Sequence, residues 1–520
     1  MRLLSPFGST AFPPLLLLTI SVLTQSTVFS SHCSNISSLL PGKVVLPGSD
    51  GYNASEASYF ALQARLGPAC IIVPSSAEDV STAVRTLAEA PDAIFAIHSG
   101  GHSPNVGFAD TDQGVTIDLQ LLSHVNVGGD GSIASVGPGA RWLDVHKALD
   151  PLGLDVVGGK FGHVGVGGLI LGGGISNFSP SRGWACDNVV NMEVVLASGE
   201  IIDVNDSNEH ADLFIALKGG QNNFGVVTRF DLRAFRQDPY WGGCIMHPQS
   251  ADDAQLEAYA TFKDSVNYDP NAEIEQTFFY MSTANGSGST GSLNNMFYAK
   301  PVMNASALRM FSDIQPQIYN TMRISNSTDF TEETTALQPI NNYVIQATTT
   351  FRFTPTILPR VHAIWRQLCG EMEDSGIPNL ALAMTFLDVP ALTPTSHNSL
   401  GFPPDSCPDR DLILCLVSMH WLDADYSRRI EDATQQVVRD IEALAEGEGL
   451  ASRYRYMNYA AATWQDPIAG YGEESLEHLY RMSRKYDPRK VFQEKVRGGF
   501  KLPQEGDWEI LGELGRARYT

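Results

Sequence analysis

Basic residues are scarce in this sequence. Among its 520 residues, 35 are Lys or Arg and 58 are Asp or Glu, which gives a formal net charge of -23 at pH 7. Nucleic acids and anionic lipid surfaces bind proteins through clusters of Lys and Arg. The charge balance therefore argues against a nucleic acid or a membrane as a partner, and it suits a soluble protein that works in a mildly acidic medium.

Long apolar runs are missing after the N-terminus. Near the start, residues 15–23 form a short apolar segment that follows Arg2 and precedes the small residues Ser26 and Ser30. This order predicts a secretory signal peptide over residues 1–30. The segment is shorter than the roughly 20 residues of a membrane-spanning helix. An uncleaved anchor is the alternative, but we expect a secreted, extracellular protein.

Paired cysteine motifs are missing as well. The seven cysteines include no Cys-x-x-Cys and no zinc-like spacing, so the sequence predicts no metal site. In an oxidising compartment disulfides form, and an odd number of cysteines leaves at least one thiol unpaired or paired elsewhere. We expect a disulfide between Cys33 and Cys70, because it would fasten the exported N-terminus to the first strand.

Asn-x-Ser/Thr sites are frequent, which is in keeping with export. Asn177 matches the pattern, but it lies in a glycine-rich stretch that we expect to be buried. The sites expected to carry glycans are Asn35, Asn53, Asn205, Asn285, Asn304 and Asn326.

The sequence pattern changes near residue 233. Before this residue, short β-rich runs are broken by glycine. Residues 75–78 indicate a capping box that starts a helix, and residues 194–202 indicate a hairpin turned at Ser198-Gly199. After it glycine is rarer, and expected helices at 251–262, 359–372 and 426–445 alternate with expected strands at 273–281, 344–353 and 412–421. This pattern predicts an α+β fold in which helices cover one face of an antiparallel sheet.

Two glycine-rich segments are the strongest local signal. One is Ser99-Gly-Gly-His-Ser103, which follows an expected strand, and the other is the stretch 158–174. Glycine admits positive φ and lets backbone N–H groups approach an anion, so such loops can hold a pyrophosphate without basic side chains. A plain tight turn is the alternative for an isolated Gly-Gly. Neither segment is a Rossmann fingerprint, because no Gly-x-Gly-x-x-Gly opens a helix directly after a strand.

In combination these motifs resemble a known family. From about residue 70 to residue 232 the chain looks like the PCMH-type FAD-binding domain of the vanillyl-alcohol-oxidase superfamily. Over nearly its full mature length it is similar to the secreted fungal berberine-bridge-enzyme-like oxidases. The resemblance rests on Ser99-Gly-Gly-His-Ser103, Val164-Gly-Val-Gly-Gly168, Trp184-Ala-Cys-Asp-Asn188, Asn223-Phe-Gly-Val-Val-Thr228, Asn458-Tyr459 and Tyr486-Asp-Pro488.

The resemblance implies a flavoenzyme. In that family the His of Gly-Gly-His is bonded covalently to the flavin, so His102 is expected to hold FAD; a turn histidine bonded to the backbone is the alternative. Phe161 stands where some members have a second, flavin-linking Cys, so a single link is expected. His98 stands where the family often has Arg. The residues expected to contact FAD are Ser99, Gly100, Gly101, His102, Ser103, Gly107, Val164, Gly165, Gly167, Gly168, Gly225, Val227 and Asn458.

The same resemblance places the catalytic residues near the C-terminus. Tyr456 is expected to be a substrate-side hydrogen-bonding group or base, and Asn458 a flavin contact. A tyrosine with the ordinary pKa of about 10 is a poor base unless a cation or the flavin lowers that pKa. Residues 454–459 also indicate an amphipathic strand with aromatic packing. His420 and Trp421 end another expected strand, where they line the pocket or pack as ordinary core residues.

These expectations define an FAD-dependent oxidoreductase that oxidises a small organic substrate, such as an alcohol, an amine or a secondary metabolite, by hydride transfer to the flavin. Val164 stands where the family's oxidases have Val and its dehydrogenases have bulkier side chains, so O2 is the expected electron acceptor. The alternatives are an oxidative cyclase of secondary metabolism and a catalytically vestigial, secreted flavin-binding protein.

The resemblance also implies a division of the chain into six segments. They are a signal peptide at 1–30, an N-terminal segment at 31–65, the PCMH-type FAD-binding domain at 66–235, a substrate-binding domain at 236–453, a C-terminal segment completing the flavin site at 454–505, and a tail at 506–520.

Overall fold

A computed structural model of the protein describes residues 31–394, 396–402 and 411–503. The predicted signal peptide, the predicted tail and Cys407 lie outside these residues. Within the described part of the chain, no helix has both the length and the apolar character needed to cross a membrane. The mixed helix and sheet architecture described below is the predicted α+β fold class.

The first half begins with a small sheet in the order β1-β2-β4-β3, in which β2, β4 and β3 run parallel and β1 is antiparallel to β2. Its strands are β1 (Val44–Val45), β2 (Cys70–Ile72), β3 (Phe95–His98) and β4 (Val115–Asp118). Its helices are α1 (residues 31–39), α2 (Asp50–Ala57) and α3 (Ala77–Glu89). The predicted disulfide is present: Cys33 in α1 is bonded to Cys70 at the start of β2.

A five-stranded antiparallel sheet in the order β5-β6-β10-β8-β9 completes the first half, beside a two-stranded pair of β7 and β11. The strands are β5 (Val125–Val127), β6 (Ile133–Val136), β7 (Leu154–Asp155), β8 (Val189–Val195), β9 (Ile201–Val204), β10 (Val226–Arg233) and β11 (Phe235–Arg236). The helices are α4 (Trp142–Leu149), α5 (Val166–Leu171), α6 (Ser179–Arg182) and α7 (Ala211–Leu217). The predicted hairpin is β8 and β9, with Gly199 in the turn at φ 84°.

Helix α3 joins the two sheets of the first half. Val80, Val84 and Leu87 recur at helical spacing on its buried face, which is the pattern of a helix that packs on a core. These side chains share one apolar cluster with Ile117 of the first sheet and Val195 of the second. The sequence places the start of this helix one residue early, because Ser76 rather than Ser75 is the N-cap and accepts a hydrogen bond from the Asp79 N–H.

The second half is dominated by an eight-stranded antiparallel sheet, β15-β12-β14-β13-β18-β19-β17 with β16 paired to β12. The strands are β12 (Tyr240–Pro248), β13 (Ala272–Ser282), β14 (Gly288–Tyr298), β15 (Tyr319–Asn320), β16 (Arg323–Ser325), β17 (Tyr343–Arg352), β18 (Ala381–Asp388) and β19 (Leu412–Trp421). The helices are α8 (Asp252–Lys263), α9 (Arg309–Ser312), α10 (Ser327–Ala336), α11 (Ile357–Ser375) and α12 (Ser427–Gly447).

Helices α8, α11 and α12 cover one face of this sheet, as the sequence predicts. In α12 the buried residues Ile430, Val437 and Ile441 lie on one stripe and pack in the same cluster as Val417 and Met419 of β19. A sheet with one face covered leaves its other face for a different partner. Here that face is turned toward the first half of the chain.

The C-terminal segment returns to the first half through α13 (Glu473–Tyr486) and α14 (Val491–Glu494). Asp487 is fully buried, and its carboxylate accepts hydrogen bonds from the backbone N–H groups of Val491 and Phe492. The expected strand over residues 454–459 is wrong: the backbone there pairs with no strand, and Met457–Tyr459 is a short 3-10 turn. Tyr454 and Tyr456 are instead buried against Trp184. Aromatic packing rather than strand pairing therefore explains why tyrosines stand at these alternate positions.

The disulfide generates a stability prediction. It closes a loop of 37 residues, and the chain-entropy model gives about 4 kcal/mol for a loop of that size. We expect the double variant Cys33→Ala, Cys70→Ala to lose stability of that order in denaturant unfolding. Cys244→Ala, which removes a free thiol, is the control. Equal unfolding midpoints for the double variant and the wild type would show that the bridge does not stabilise the fold.

Candidate active site

A cavity of 410 Å³ lies between the glycine-rich loops of the first half and the open face of the eight-stranded sheet. The loop after β3, the segment that leads into α5 and the start of β10 form one wall. Strands β13, β14, β17, β18 and β19 form the opposite wall, and the segment around residue 457 closes one side.

The two glycine-rich segments touch each other through their backbones. A Cβ atom built on Gly100 would lie 2.4 Å from the Gly165 Cα, and one built on Gly165 would lie 2.5 Å from the Gly100 Cα. Ser99 Oγ donates to the Pro138 carbonyl. Only glycine permits this approach at either position, so the two segments that the sequence singles out form one continuous backbone surface.

Gly168 in α5 presents open space to this cavity. It lines the wall, and a Cβ built on it would meet no atom within 4 Å. Glycine is therefore not required there by packing within the protein. The position instead leaves room for something that lies against the backbone, which is what a flat ring system needs.

His102 projects from the first glycine loop into the cavity wall. Its ring stacks on Phe60 with 4.1 Å between centroids, and its buried Nε2 has no hydrogen-bond partner among the described residues. Burial lowers the pKa of His102 to about 3; the side chain of Gln338 opposes this shift, and the nearby Arg141 acts in the same direction as burial. The imidazole is therefore neutral, and it keeps a nitrogen lone pair for bond formation.

The opposite wall carries polar groups in register across neighbouring strands. Glu275 on β13 pairs with Asn295 on β14, and Thr277 pairs with Thr385 on β18, where the two hydroxyls lie 2.9 Å apart. Side chains at alternate positions of a strand share a face, so Glu275 and Thr277 point to the cavity together. These polar groups alternate with apolar ones, including Leu293 and Leu416. The wall can therefore orient a mainly apolar molecule that carries a few polar groups.

Tyr456 and Asn458 lie where the C-terminal segment meets this cavity. Asn458 Nδ2 donates to the Tyr456 hydroxyl at 3.0 Å and to the Leu169 carbonyl at 3.1 Å. The Gly174 N–H also donates to that hydroxyl, at 3.2 Å. Burial raises the pKa of Tyr456, so its hydroxyl stays protonated. The geometry gives Tyr456 a positioning contact to Asn458, whereas its predicted role as a base stays a prediction.

All the residues predicted for the site line this cavity except Gly107, which lies in the loop at φ 79° with open space around its Cα. His420 does not line the cavity. It is buried on the same face of β19 as the lining residue Ser418, 3.2 Å from that hydroxyl, and its ring meets Phe60 edge-on. Trp421 lies outside the wall, where it stacks on Tyr343. Cys186 is fully buried, as expected of a small apolar residue.

Sequence reasoning missed the lining residues Lys160, Glu275 and Asn295. A signal for Glu275 was present, because Glu273 and Glu275 stand at alternate positions of a strand that also carries Ile274, Phe278 and Phe279. Acidic residues inside such a strand are rare unless they are paired.

The residues present fit a bound FAD. The glycine backbone surface, the open space at Gly168 and the unpartnered nitrogen of His102 lie around one cavity. Fold and site together define an FAD-binding oxidoreductase, in which the first half holds the cofactor and the sheet of the second half faces it.

Comparisons with known proteins agree with this assignment. The FAD binding domain family matches residues 68–205. An FAD-dependent monooxygenase of Aspergillus calidoustus is 35% identical over 473 residues, with 88% of each chain covered. Among solved structures, 6-hydroxy-D-nicotine oxidase from Arthrobacter nicotinovorans has a TM-score of 0.72 at 20% identity, covering 89% of this chain and 98% of that one. Glucooligosaccharide oxidase from Acremonium strictum has a TM-score of 0.71 at 20% identity, covering 91% and 100%.

The chain belongs to the family of these FAD-dependent monooxygenases, because relatives of more than 30% identity match it over most of both chains. It shares its fold with 6-hydroxy-D-nicotine oxidase and with BBE-like 1 of Physcomitrella patens. The FAD-binding domain and the fold that the resemblance implies are thereby confirmed, and so is the assignment as an FAD-dependent enzyme.

The open space at Gly168 yields a binding prediction. We expect Gly168→Leu to fold but to lose FAD, because the new side chain would fill space on the cavity wall without striking the protein. The matched control is Gly370→Leu, since Gly370 also has open space around its Cα but lies on the exposed side of α11. Visible flavin absorbance per mole of protein measures the loss. Full flavin content in Gly168→Leu would show that the cofactor does not lie against α5.

Proposed function

We propose that this protein is an oxidase of small organic molecules whose FAD is attached through a single covalent bond to His102. The observation that carries the proposal is the neutral imidazole of His102, held by Phe60 in the wall of a glycine-lined cavity. When bound, FAD supplies a two-electron acceptor. The chain itself binds and orients the substrate and excludes water from the space between its two halves.

A single link is supported by the second glycine segment. The solved glucooligosaccharide oxidase carries a 6-S-cysteinyl, 8α-N1-histidyl FAD. In this chain Phe161 lines the cavity at the position that the resemblance assigns to the second link. Cys186 is fully buried, and burial raises the pKa of its thiol, so it is a poor nucleophile.

We also propose that the protein is exported and glycosylated. The disulfide between Cys33 and Cys70 supports an oxidising compartment, and several of the acceptor asparagines are exposed. Asn205 is the weakest of them, because it is half-buried and its Nδ2 donates to Asn191. The exposed acceptor sites are Asn35, Asn53, Asn285, Asn304 and Asn326.

Acid precipitation tests the covalent bond. We expect flavin absorbance to stay with the precipitated wild-type protein and to leave with the supernatant in His102→Ala, because only a covalent bond survives denaturation. His163→Ala, which removes a half-buried histidine from the other glycine segment, should keep flavin in the pellet. A yellow supernatant from the wild-type protein would contradict covalent attachment.

Val164 yields a prediction about oxygen. This half-buried side chain lines the cavity next to the backbone contact of the glycine segments. We expect photoreduced wild-type protein to reoxidise rapidly with O2 and to release hydrogen peroxide. The bulkier Val164→Leu should reoxidise about tenfold more slowly, which corresponds to about 1.4 kcal/mol in the barrier. Anaerobic stopped-flow mixing with O2 measures both rates, and sluggish reoxidation of the wild type would show that O2 is not the acceptor.

A further inference from the structure

A buried ion cluster lies at the sheet side of the cavity. Lys160 Nζ lies 2.9 Å from Glu275 Oε1 and also contacts Glu273 Oε1. The three side chains, which we call the Lys160 cluster, are between 4% and 9% exposed. Two carboxylates face one ammonium group, so the fully ionised cluster carries one excess negative charge. An uncompensated buried charge is costly, which favours uptake of a proton or of a ligand that donates one.

The cluster opens to the cavity rather than filling a closed core. Lys160 and Glu275 line the cavity wall, whereas Glu273, two residues before Glu275 in β13, does not. Lys160 comes from the segment after β7, and its carbonyl accepts a hydrogen bond from Thr334 Oγ1. The cluster is therefore held from both halves of the chain.

Two buried oxygens beside the cluster have no partner among the described residues. Asn295 is 7% exposed, lines the cavity and pairs across the strands with Glu275, yet its Oδ1 accepts no hydrogen bond. Glu273 Oε2 is also unpartnered. Buried acceptors are normally satisfied. Because Asn295 lines the cavity, its free oxygen points to a ligand that brings a hydrogen-bond donor into the cavity.

We propose that the Lys160 cluster is the substrate-binding and proton-accepting site, with Glu275 as the group that contacts the substrate. This inference rests on the proposed oxidase function and adds a substrate class to it. The substrate is a mainly apolar compound whose oxidised carbon carries a hydroxyl or amine group. Carboxylic acids are repelled when the cluster is negative, that is, when both carboxylates are ionised.

The proposed reaction is a two-electron oxidation of the substrate. When the substrate is an alcohol, its O–H bond breaks and the proton passes to the Glu275 carboxylate. The carbon–hydrogen bond breaks with its two electrons, which the flavin accepts together with that hydrogen. The carbon–oxygen single bond becomes a double bond, so the substrate loses two hydrogens and the flavin is reduced. Lys160, in contact with both carboxylates, lets the proton be shared with Glu273.

The surroundings of Glu273 suit a group that takes up and releases a proton near neutral pH. Burial raises its pKa to about 7; the ammonium of Lys160 lowers that pKa, and the carboxylates of Glu275 and Asp388 raise it. Tyr459 faces the same cluster from the C-terminal segment, and burial raises the pKa of its hydroxyl, with Glu275 adding to the effect. A proton on one of the two carboxylates leaves the cluster neutral, and its loss leaves the cluster with one negative charge.

Binding of three probes tests the proposal on flavin-loaded protein. Benzylamine, benzyl alcohol and benzoate share one apolar body, and their binding is measured as a change in the flavin spectrum. About one pH unit above the Glu273 pKa, we expect benzylamine and benzyl alcohol to bind at least about tenfold more tightly than benzoate, as is typical of one hydrogen bond to a charged group. About one unit below that pKa, the preference for benzylamine should shrink.

Glu275→Gln should remove most of the preference for benzylamine and benzyl alcohol over benzoate. Glu273→Gln should make that preference independent of pH. Flavin content and photoreduction should be unchanged in both variants. The control Glu257→Gln replaces an exposed glutamate of α8 and should behave as the wild type. With any probe that reduces the flavin, Glu275→Gln should also slow the reduction.

Flavin content and probe binding test the oxidase function and the role of the Lys160 cluster separately. Protein that carries no flavin counts against the proposed oxidase function, whatever the probes do. Protein that carries flavin but binds benzoate as well as benzylamine overturns the role of the cluster alone. A preference that survives in Glu275→Gln, or binding of no probe, overturns it as well.

Discussion

The backbone contact between Gly100 and Gly165 is the constraint on which the rest of the site depends. Any side chain at either position would strike the other backbone, so the loop after β3 and the segment before α5 can meet only because both are glycine. Their meeting brings together residues that are 65 positions apart in sequence and turns two loops into one wall. His102, Val164 and Gly168 then face the same cavity, although they come from different elements.

The second half meets this wall with a sheet whose cavity face mixes polar and apolar side chains. The Lys160 cluster spans the gap, because its lysine belongs to the first half and its two carboxylates belong to β13. Removing Lys160 would leave the two carboxylates without their cation, and breaking a buried ion pair in this way typically costs about 3–5 kcal/mol. The same interaction therefore serves to hold the halves together and to place a charge where the chemistry would need it.

The sequence was most informative where local rules decide the outcome. The bounds of β19 match the strand expected at 412–421, and Gly199 lies in the turn of the expected hairpin. The backbone wall was foreseeable because glycine clusters have few other uses. The strand expected at residues 454–459 was wrong because the sequence pattern is the same in both cases. Tyrosines at alternate positions occur in a half-buried strand and also in a segment that packs on Trp184 without pairing. Lys160 was missed because its partners lie more than 100 residues away, and no local pattern reports such a long-range contact.

Peptide mass spectrometry locates the bond between flavin and protein. Trypsin should release a peptide that contains His102, and this peptide should carry the flavin. An unmodified His102 peptide beside free FAD, or a flavin attached to another residue, would contradict the account.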